Sequence, residues 1–356
     1  MNLTANLTRR SPIGLDIGRR RIHAVQFDAG RGQRIAAAVS LTRTHDTAEL
    51  TAEESERLQN VLERSGFRGR AVVVAARPEN TVSAAVQGPA GANDTQLDAV
   101  VRHEVARIGA AEPGQMEIAW WPLPAGPRTA AVRECLAVGL THAGSEALLG
   151  PLEAVGFEPR AIDTPATALH RVVAPALGAD EPAGPGFAVL IDVGWSGARL
   201  YLLDARRVRY QRALDEPALG QELRAISARF GSESLGQWEK VVLELVTGVE
   251  ADEHASPVAA VAQASLARIG ARLAAEAQTS ADYARRRDPD SALQALVVCG
   301  GGAALAPLIS GMEQGVDAPV TVCDAVSLGL DVRSADAAGY DPGMALAAGL
   351  ARWGGR

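Results

Sequence analysis

The chain has 356 residues, of which 47% are hydrophobic and only 4% aromatic, so it can bury sizeable cores built from Ala, Val and Leu. Its net charge of −7 and its pI near 5.5 argue against nucleic acid as the main partner. The sequence begins without an apolar signal region, and no apolar run reaches membrane-spanning length, so a cytosolic protein is expected.

The chain contains three cysteines, an odd number, and their spacing fits no metal site: Cys135, Cys299 and Cys323. In a cytosolic protein this pattern predicts reduced, buried thiols. None of the three stands beside an evident base, so a catalytic cysteine is not expected.

The first predicted element is a hairpin near the start of the sequence. An apolar run ends in Asp16 and Gly18, turns on three arginines, and returns as an alternating strand that ends at Asp28. The pattern then predicts a strand over 34–40, a helix over 51–64 and a buried strand over 71–75. Strands followed by a helix and another strand indicate an α/β unit.

Residues 78–160 differ in character and read as an insertion. Asn93 can cap a helix whose apolar residues fall on one face, and two further strands and a second helix are predicted over 115–121, 128–140 and 145–155. About three strands and two helices suffice for a small α+β subdomain. A helix rich in small residues is expected over 161–173, where either a hinge or ordinary packing explains the composition, and 178–186 reads as a linker.

The opening hairpin recurs 176 positions later without a gap. Asp192 corresponds to Asp16, Gly194 to Gly18 and Asp204 to Asp28. A repeat at close to half the chain length predicts two related domains.

This turn has a chemical use. Glycine lets the backbone turn tightly, so that loop amides can point at an anion, and an aspartate at the strand end can hold hydrated magnesium beside phosphates. Two such hairpins facing each other would hold a polyphosphate from both sides. The alternative is that Asp-x-Gly merely closes two ordinary hairpins, and the repetition favours the ligand-binding interpretation.

The C-terminal part is predicted to be largely helical, with helices over 217–230, 235–246, 257–287, 304–314 and 344–351. A buried strand over 295–299 leads into Gly300, Gly301 and Gly302, where a ligand can lie against bare backbone. Of the 35 basic residues only Lys240 is a lysine. It either marks a nucleotide site, where lysine and arginine differ, or has persisted by chance.

This order of hairpin, insertion, second hairpin and triple glycine resembles the actin-like ATPase superfamily. Within it the chain is similar to the PilM family of type IV pilus assembly, in the cell-division (FtsA-like) branch. The similarity covers nearly the whole chain and is carried by GLDIG at 14–18, GFEPRAIDTPATAL from 156, IDVG at 191–194, LGQELRAISARFGSESLGQWEK at 219–240, VVCGGGAALAPL at 297–308 and DPGMALAAGL at 341–350.

The resemblance implies an α/β, two-lobed actin-like fold, which duplicates a ribonuclease H-like unit and carries an inserted small α+β subdomain. The implied divisions are a first lobe core at 11–77 with 161–180 and 331–356, an inserted subdomain at 78–160, a second lobe core at 185–215 with 291–330, and a helical insertion at 216–290.

The resemblance also implies ATP and Mg²⁺ as ligands. Asp16 and Asp192 would hold the magnesium, Lys240 would contact the nucleoside, and Gly300, Gly301 and Gly302 would lie on the adenine side. The phosphates would bind the two turns, at Gly18, Arg19 and Arg20 in the first and at Gly194, Trp195, Ser196 and Gly197 in the second.

The partner that the resemblance implies is the N-terminal cytoplasmic peptide of a PilN-like inner-membrane protein, bound as an apolar peptide on the lobe that carries the insertion. The chain would thus be cytoplasmic and peripheral to the inner membrane through this partner. Nucleic acid is not expected, and self-association is left open.

The chain departs from the family around the turns. Arg19 and Arg20 replace small hydroxyl residues, Trp195 replaces a small residue, His23 stands where relatives usually have lysine, and Gln237 replaces an acid. Two interpretations stay open. The arginines neutralise phosphate charge by bidentate contact, or they fill a degenerate pocket with Trp195 as a plug.

No residue stands out as a hydrolytic base, since Glu222, Glu239 and Asp163 qualify only by position. Slow or no ATPase activity is therefore expected. The sequence favours a scaffold that binds a nucleotide weakly or conditionally. The alternatives are a sugar- or acetate-type kinase of the same superfamily and a polymerising cell-division relative.

Overall fold

The computed structural model describes residues 10–28, 34–45, 47–123, 132–177, 186–215, 218–229, 257–332 and 340–354. Within them the strands are β1 (Ile13–Ile17), β2 (Arg21–Phe27), β3 (Ile35–Thr42), β4 (Ala71–Ala75), β5 (Thr81–Pro89), β6 (Met116–Pro122), β7 (Val132–Thr141), β8 (Glu158–Asp163), β9 (Gly186–Val193), β10 (Ala198–Leu203), β11 (Val208–Leu214), β12 (Ala292–Cys299) and β13 (Val320–Val322). The α-helices are α1 (Ala52–Arg64), α2 (Asp94–Ile108), α3 (His142–Ala154), α4 (Pro165–Val173), α5 (Leu219–Arg229), α6 (Pro257–Arg287), α7 (Ala306–Glu313) and α8 (Ala345–Ala351).

The described residues divide into two compact units. The first takes in those of 1–125, 129–173 and 324–356, and the second takes in those of 174–323. Each unit is built on its own five-stranded mixed sheet. This division into two units does not test the four subdomain ranges that the resemblance implies, which stay a prediction.

The first unit has the strand order β3-β2-β1-β4-β8, with β2 antiparallel to both neighbours and β1, β4 and β8 parallel. Helices α1 and α3 cover one face with an apolar core that includes Leu15, Leu58 and Leu152. Helix α8 packs on β1, β2 and β4 and against α4. Because both faces are covered, β1 and β2 are buried almost throughout, as their apolar sequences require.

The second unit repeats this plan with the strand order β11-β10-β9-β12-β13 and the same parallel and antiparallel pairings. Helices α5, α6 and α7 pack on one face, around side chains such as Ile191, Leu266 and Leu308. The repeat predicted from the two hairpins is therefore confirmed, and with it the two-part α/β architecture.

A three-stranded antiparallel sheet, in the order β5-β7-β6, belongs to the first unit. Helix α2 packs on it through Leu97, Val101 and Val105. As predicted, Asn93 caps this helix, and its side chain accepts a hydrogen bond from the Gln96 amide in a capping box.

Several local expectations were wrong. Strand β8 occupies the start of the helix predicted over 161–173, and α4 begins only at Pro165, because a proline fits the first turn of a helix and holds the residue before it extended. Strand β5 was not located by the sequence. The last two of the three glycines begin a 3₁₀ turn, Gly301–Ala304, and α7 begins only at Ala306. The predicted helix over 235–246 and nearly all of the 178–186 linker lie outside the described residues.

The three cysteines are free and buried, as predicted. Within the described ranges, no helix combines the length and apolarity that crossing a membrane requires.

Candidate functional site

The first Asp-Gly turn joins β1 to β2. The Gly18 amide donates to the carbonyl of Arg21 at 2.9 Å, which closes the turn, and Asp16 stands opposite His23 in the antiparallel register. The Asp16 side chain is 24% exposed. Arg19 in the turn is exposed and Arg20 is half-buried. The turn thus places one carboxylate and two guanidinium groups at the end of a buried strand.

His23 lies beneath this turn. Its Nδ1 is 2.7 Å from the carbonyl of Gly343 and 3.8 Å from Oδ2 of Asp16. Since a carbonyl only accepts, Nδ1 carries the proton and donates it there. Burial lowers the pKa of His23 below its ordinary value, although Asp341 and the Gly343 carbonyl act in the opposite direction. His23 is therefore neutral at pH 7, unlike a lysine at the same position.

The second turn joins β9 to β10 and reproduces the first. The Gly194 amide donates to the carbonyl of Gly197 at 2.9 Å, and Asp192 stands opposite Arg199. Ser196 at its tip is exposed. A Cβ added at Gly197 would meet nothing within 4 Å, so this side of the turn is open.

Gly300 and Gly302, which directly follow β12, pack against the second turn. Gly300 has φ +83, and a Cβ there would collide with Oδ1 of Asp192, so glycine is required both for the backbone and for the contact. A Cβ at Gly302 would lie 2.5 Å from Val193 Cγ1. A Cβ added at Gly301, between them, would meet no atom within 4 Å. The triple glycine therefore packs against the aspartate and leaves one residue open for a ligand.

Asp192 keeps some accessible surface, but protein atoms surround its carboxyl group. Burial raises the pKa of Asp192 to about 6, while Arg199 and a hydrogen bond with Cys299 act to lower it. A bound cation would replace the lost solvation and favour the ionised form. The group is thus suited to a metal ligand, although no cluster of three or more His, Cys, Asp or Glu side chains with metal-binding geometry occurs among the described residues.

Trp195 packs against the start of α5. The Gly220 amide donates to the Trp195 carbonyl at 3.0 Å, and a Cβ at Gly220 would lie 2.6 Å from Nε1 of the ring. The guanidinium carbon of Arg224 is 5.8 Å from the ring centre. The indole is thus engaged by α5 of its own unit.

Two buried arginines lie at the same end of the first sheet as this turn, and the sequence reasoning missed both; Arg43 supports the turn directly. Arg43 donates to the carbonyl of Gly18 at 3.1 Å and to Glu54 at 2.8 and 3.1 Å. Burial opposes the charge on Glu54, but hydrogen bonds from Arg43 and the Thr51 amide hold the pKa of Glu54 below its ordinary value. Glu54 in a capping box with Thr51 was readable from the sequence, whereas its arginine partner was not.

The second of these arginines is Arg77, which follows β4. It is 6% exposed, and its Nε and Nη2 atoms are buried without a hydrogen-bond partner. A charged residue directly after a buried strand was the available signal.

The candidate bases are occupied or outside the described residues. Asp163 accepts hydrogen bonds from the Thr164 amide at 2.7 Å and the Thr167 hydroxyl at 2.5 Å, and it pairs with Arg171, so it fixes the start of α4. Glu222 accepts a hydrogen bond from Ser265. Glu239 and Lys240 lie outside the described residues, so the nucleoside contact assigned to Lys240 stays a prediction.

No protein-family model and no curated protein matches the sequence. Solved structures do. A chain of the PilM-PilN type IV pilus biogenesis complex is similar with a TM-score of 0.74 at 18% identity, over 96% of this chain and 97% of that chain. The ethanolamine utilization protein EutJ from Carboxydothermus hydrogenoformans has a TM-score of 0.50 at 14% identity, over 97% and 90%. At these identities the likeness shows the fold, and the fold predicted from the sequence is confirmed.

Proposed function

We propose that the protein is an actin-like scaffold of type IV pilus, or related secretion, assembly that docks the N-terminal cytoplasmic peptide of a PilN-like inner-membrane protein. The observation that carries this proposal is the likeness, over nearly the full length of both chains, to a chain solved in complex as PilM-PilN. The sequence motifs point to the same family independently of the coordinates. In this proposal the protein is cytoplasmic and reaches the inner membrane through its partner.

The partner proposal is tested with a labelled synthetic peptide that has the N-terminal sequence of a candidate PilN-like protein. Saturable binding is expected in fluorescence anisotropy, because a short apolar segment binds a groove through a few anchor side chains. A scrambled peptide of the same composition is the control. Equal binding of the two peptides, or no binding at high micromolar protein, would remove the docking function.

The same scaffold is proposed to bind ATP and Mg²⁺ weakly or conditionally, with slow or no hydrolysis. The support is chemical. Both turns put an aspartate at a strand end beside a glycine, with Arg19 and Arg20 in the first turn and the open Gly197 and Gly301 in the second. When bound, Mg²⁺ would neutralise phosphate charge, with Asp16 and Asp192 as the residues to hold it. Arginine side chains would hold phosphate oxygens.

Thermal unfolding with and without Mg-ATP tests the nucleotide proposal. Ligand at about 100 times its dissociation constant stabilises by about 2.7 kcal/mol, a shift of several degrees. Asp16→Ala should abolish the shift. Asp28→Ala is the matched control, since Asp28 lies at the far end of the same hairpin, where it pairs with Arg10 and Arg34. A shift that Asp16→Ala leaves unchanged would contradict the assignment.

Two further measurements address the alternatives. Transfer of labelled phosphate from ATP to a sugar or acetate would replace the scaffold with a kinase. Sedimentation with ATP and lipid vesicles would reveal a polymerising relative. The scaffold proposal expects neither product nor pellet.

A further inference from the structure

Arg77 is buried, and two of its three guanidinium nitrogens have no partner in the part of the chain that the structure describes. The residue is 6% exposed, and its Nε and Nη2 atoms are buried without a hydrogen-bond partner among the described residues. A buried charge without a partner is strongly unfavourable, and proteins rarely keep one that has no use. Arg43 shows the ordinary solution in the same unit, because its guanidinium is saturated by Glu54 and backbone carbonyls.

The sheet places Arg77 beside the first turn. Strands β1 and β4 are parallel, with Leu15 opposite Val74, and three residues further along both strands lie Gly18 and Arg77. On the other side of β4, the Ala76 amide donates to the carbonyl of Asp163, the last residue of β8, at 2.7 Å. Arg77 therefore stands at the carboxyl ends of three parallel strands, the edge at which open α/β sheets bind their ligands.

The charges around Arg77 do not satisfy it. Burial lowers the pKa of Arg77, with Glu79 and Glu49 opposing this effect and Arg43 and Arg19 adding to it. Neither glutamate is within ion-pair distance among the contacts of the described residues, and Arg43 is held by Glu54. The site thus holds a largely buried cation, with a second arginine, Arg19, exposed on the neighbouring turn.

We propose that Arg77 binds an oxyanion of the phosphate class at the carboxyl edge of the first sheet, next to the Asp16–Gly18 turn. The inference rests on the proposed function only for the source of the oxyanion, which would be a phosphate group of the nucleotide. A planar guanidinium holds two phosphate oxygens at once, and one that is already largely buried loses little further hydration on binding. The anion supplies the counter-charge that the protein omits.

The test compares Arg77→Met and Arg77→Lys with wild type by thermal unfolding and calorimetry. The probes are Mg-ATP, pyrophosphate, orthophosphate and adenosine. Arg77→Met keeps the apolar stem and removes the charge. Without added anions, this variant is therefore expected to be at least as stable as wild type. Its affinity for the phosphate probes should fall about 10- to 100-fold, the effect of losing a charge-assisted hydrogen bond. Arg77→Lys should retain part of the binding. Arg64→Met, an exposed arginine on α1, is the control.

The outcomes separate this inference from the proposed function. Stabilisation by pyrophosphate or orthophosphate that depends on Arg77, without a response to ATP, would support the oxyanion site and contradict the nucleotide. Nucleotide binding that Arg77→Met leaves unchanged would overturn the inference and keep the function. If Arg77→Met is less stable than wild type without added anions, and the phosphate probes stabilise both proteins equally, Arg77 has a purely structural role. Absence of any response to all phosphate probes in wild type would overturn the inference.

Discussion

The two Asp-Gly turns have the same backbone and different surroundings. In each turn the glycine amide closes a bond at 2.9 Å to a carbonyl three residues on, and each aspartate has the same antiparallel register. The first turn is surrounded by arginines and a neutral histidine. The second holds a carboxyl group of raised pKa beneath Gly300 and a tryptophan fixed on a helix. Duplication has preserved the backbone of the turn, whereas the neighbouring side chains have made the two turns electrostatically different.

The largest effect is expected where the first turn depends on a buried ion pair. The Arg43 and Glu54 side chains are 1% and 3% exposed, and Arg43 also holds the Gly18 carbonyl. Arg43→Met leaves Glu54 buried and unpaired, so it should lower the free energy of unfolding by about 3–5 kcal/mol. Urea denaturation measures this. The double variant Arg43→Met with Glu54→Gln should recover part of the loss, and a loss below about 1 kcal/mol in the single variant would contradict the account.

The next largest effect is expected at a position where the two sheets carry different residues. Gly14 in β1 corresponds to the fully buried Leu190 in β9, and a Cβ at Gly14 would collide with the Ala347 carbonyl of α8. Gly14→Ala must therefore displace α8, and a destabilisation of about 3 kcal/mol is expected. Gly150→Ala in α3 is the matched control, because a Cβ there meets nothing within 4 Å, and it should be neutral or slightly stabilising. Equal effects of the two substitutions in thermal unfolding would show that α8 does not press on β1.

A pH dependence distinguishes the second turn. The pKa of Asp192 is raised from 3.8 to about 6 in the folded state, so the native chain binds this proton at higher pH than the unfolded chain. The stability contributed by protonation is therefore present below about pH 4 and is lost as the pH rises to about 6. Asp192→Asn should remove this loss and be more stable than wild type by about 2–3 kcal/mol at pH 7 without Mg²⁺.

Urea denaturation of both proteins between pH 4 and pH 8 measures this difference. The variant and wild type should converge at the acid end. A constant difference across the range would show that Asp192 does not titrate in this window.

The smallest effect concerns Trp195. Its ring lies on Gly220 and Arg224 of α5, so Trp195→Leu should reduce stability by about 1–2 kcal/mol through lost packing and cation–π contact. Affinity for Mg-ATP, measured by calorimetry, should change less than about threefold, since the ring is held by the helix. An affinity gain of tenfold or more would instead support the interpretation of Trp195 as a plug.

Much of the fold was predictable because it depends on local sequence patterns, one of which occurs twice in the chain. The spacing of Asp16 and Asp192 predicted two equivalent hairpins, and the Ala-rich C-terminal segment predicted a helix. Strand β8 was not predicted, because its six residues, EPRAID, include three charged side chains and give no strand pattern, and α4 follows after Thr164.

The surroundings of the turns were not predictable for a different reason. Arg43 meets Glu54, and Gly300 meets Asp192 across 108 positions of sequence, only once the sheets have formed. The raised pKa of Asp192 follows from that packing. Tertiary contacts of this kind leave no periodic signal, so the candidate site was located by motif while its electrostatics came from the structure.

The three-stranded sheet joins the rest of the first unit through a two-stranded stem. Strands β5 and β7 pair from Thr81 with Leu140 to Pro89 with Val132, so the chain leaves and returns at adjacent points. A module attached in this way can be excised, lengthened or exchanged with a short turn closing the gap, without a change in the register of β4 and β8. Evolution can thus change this three-stranded module to suit new partners, while the five-stranded sheet that carries the first Asp-Gly turn keeps its geometry.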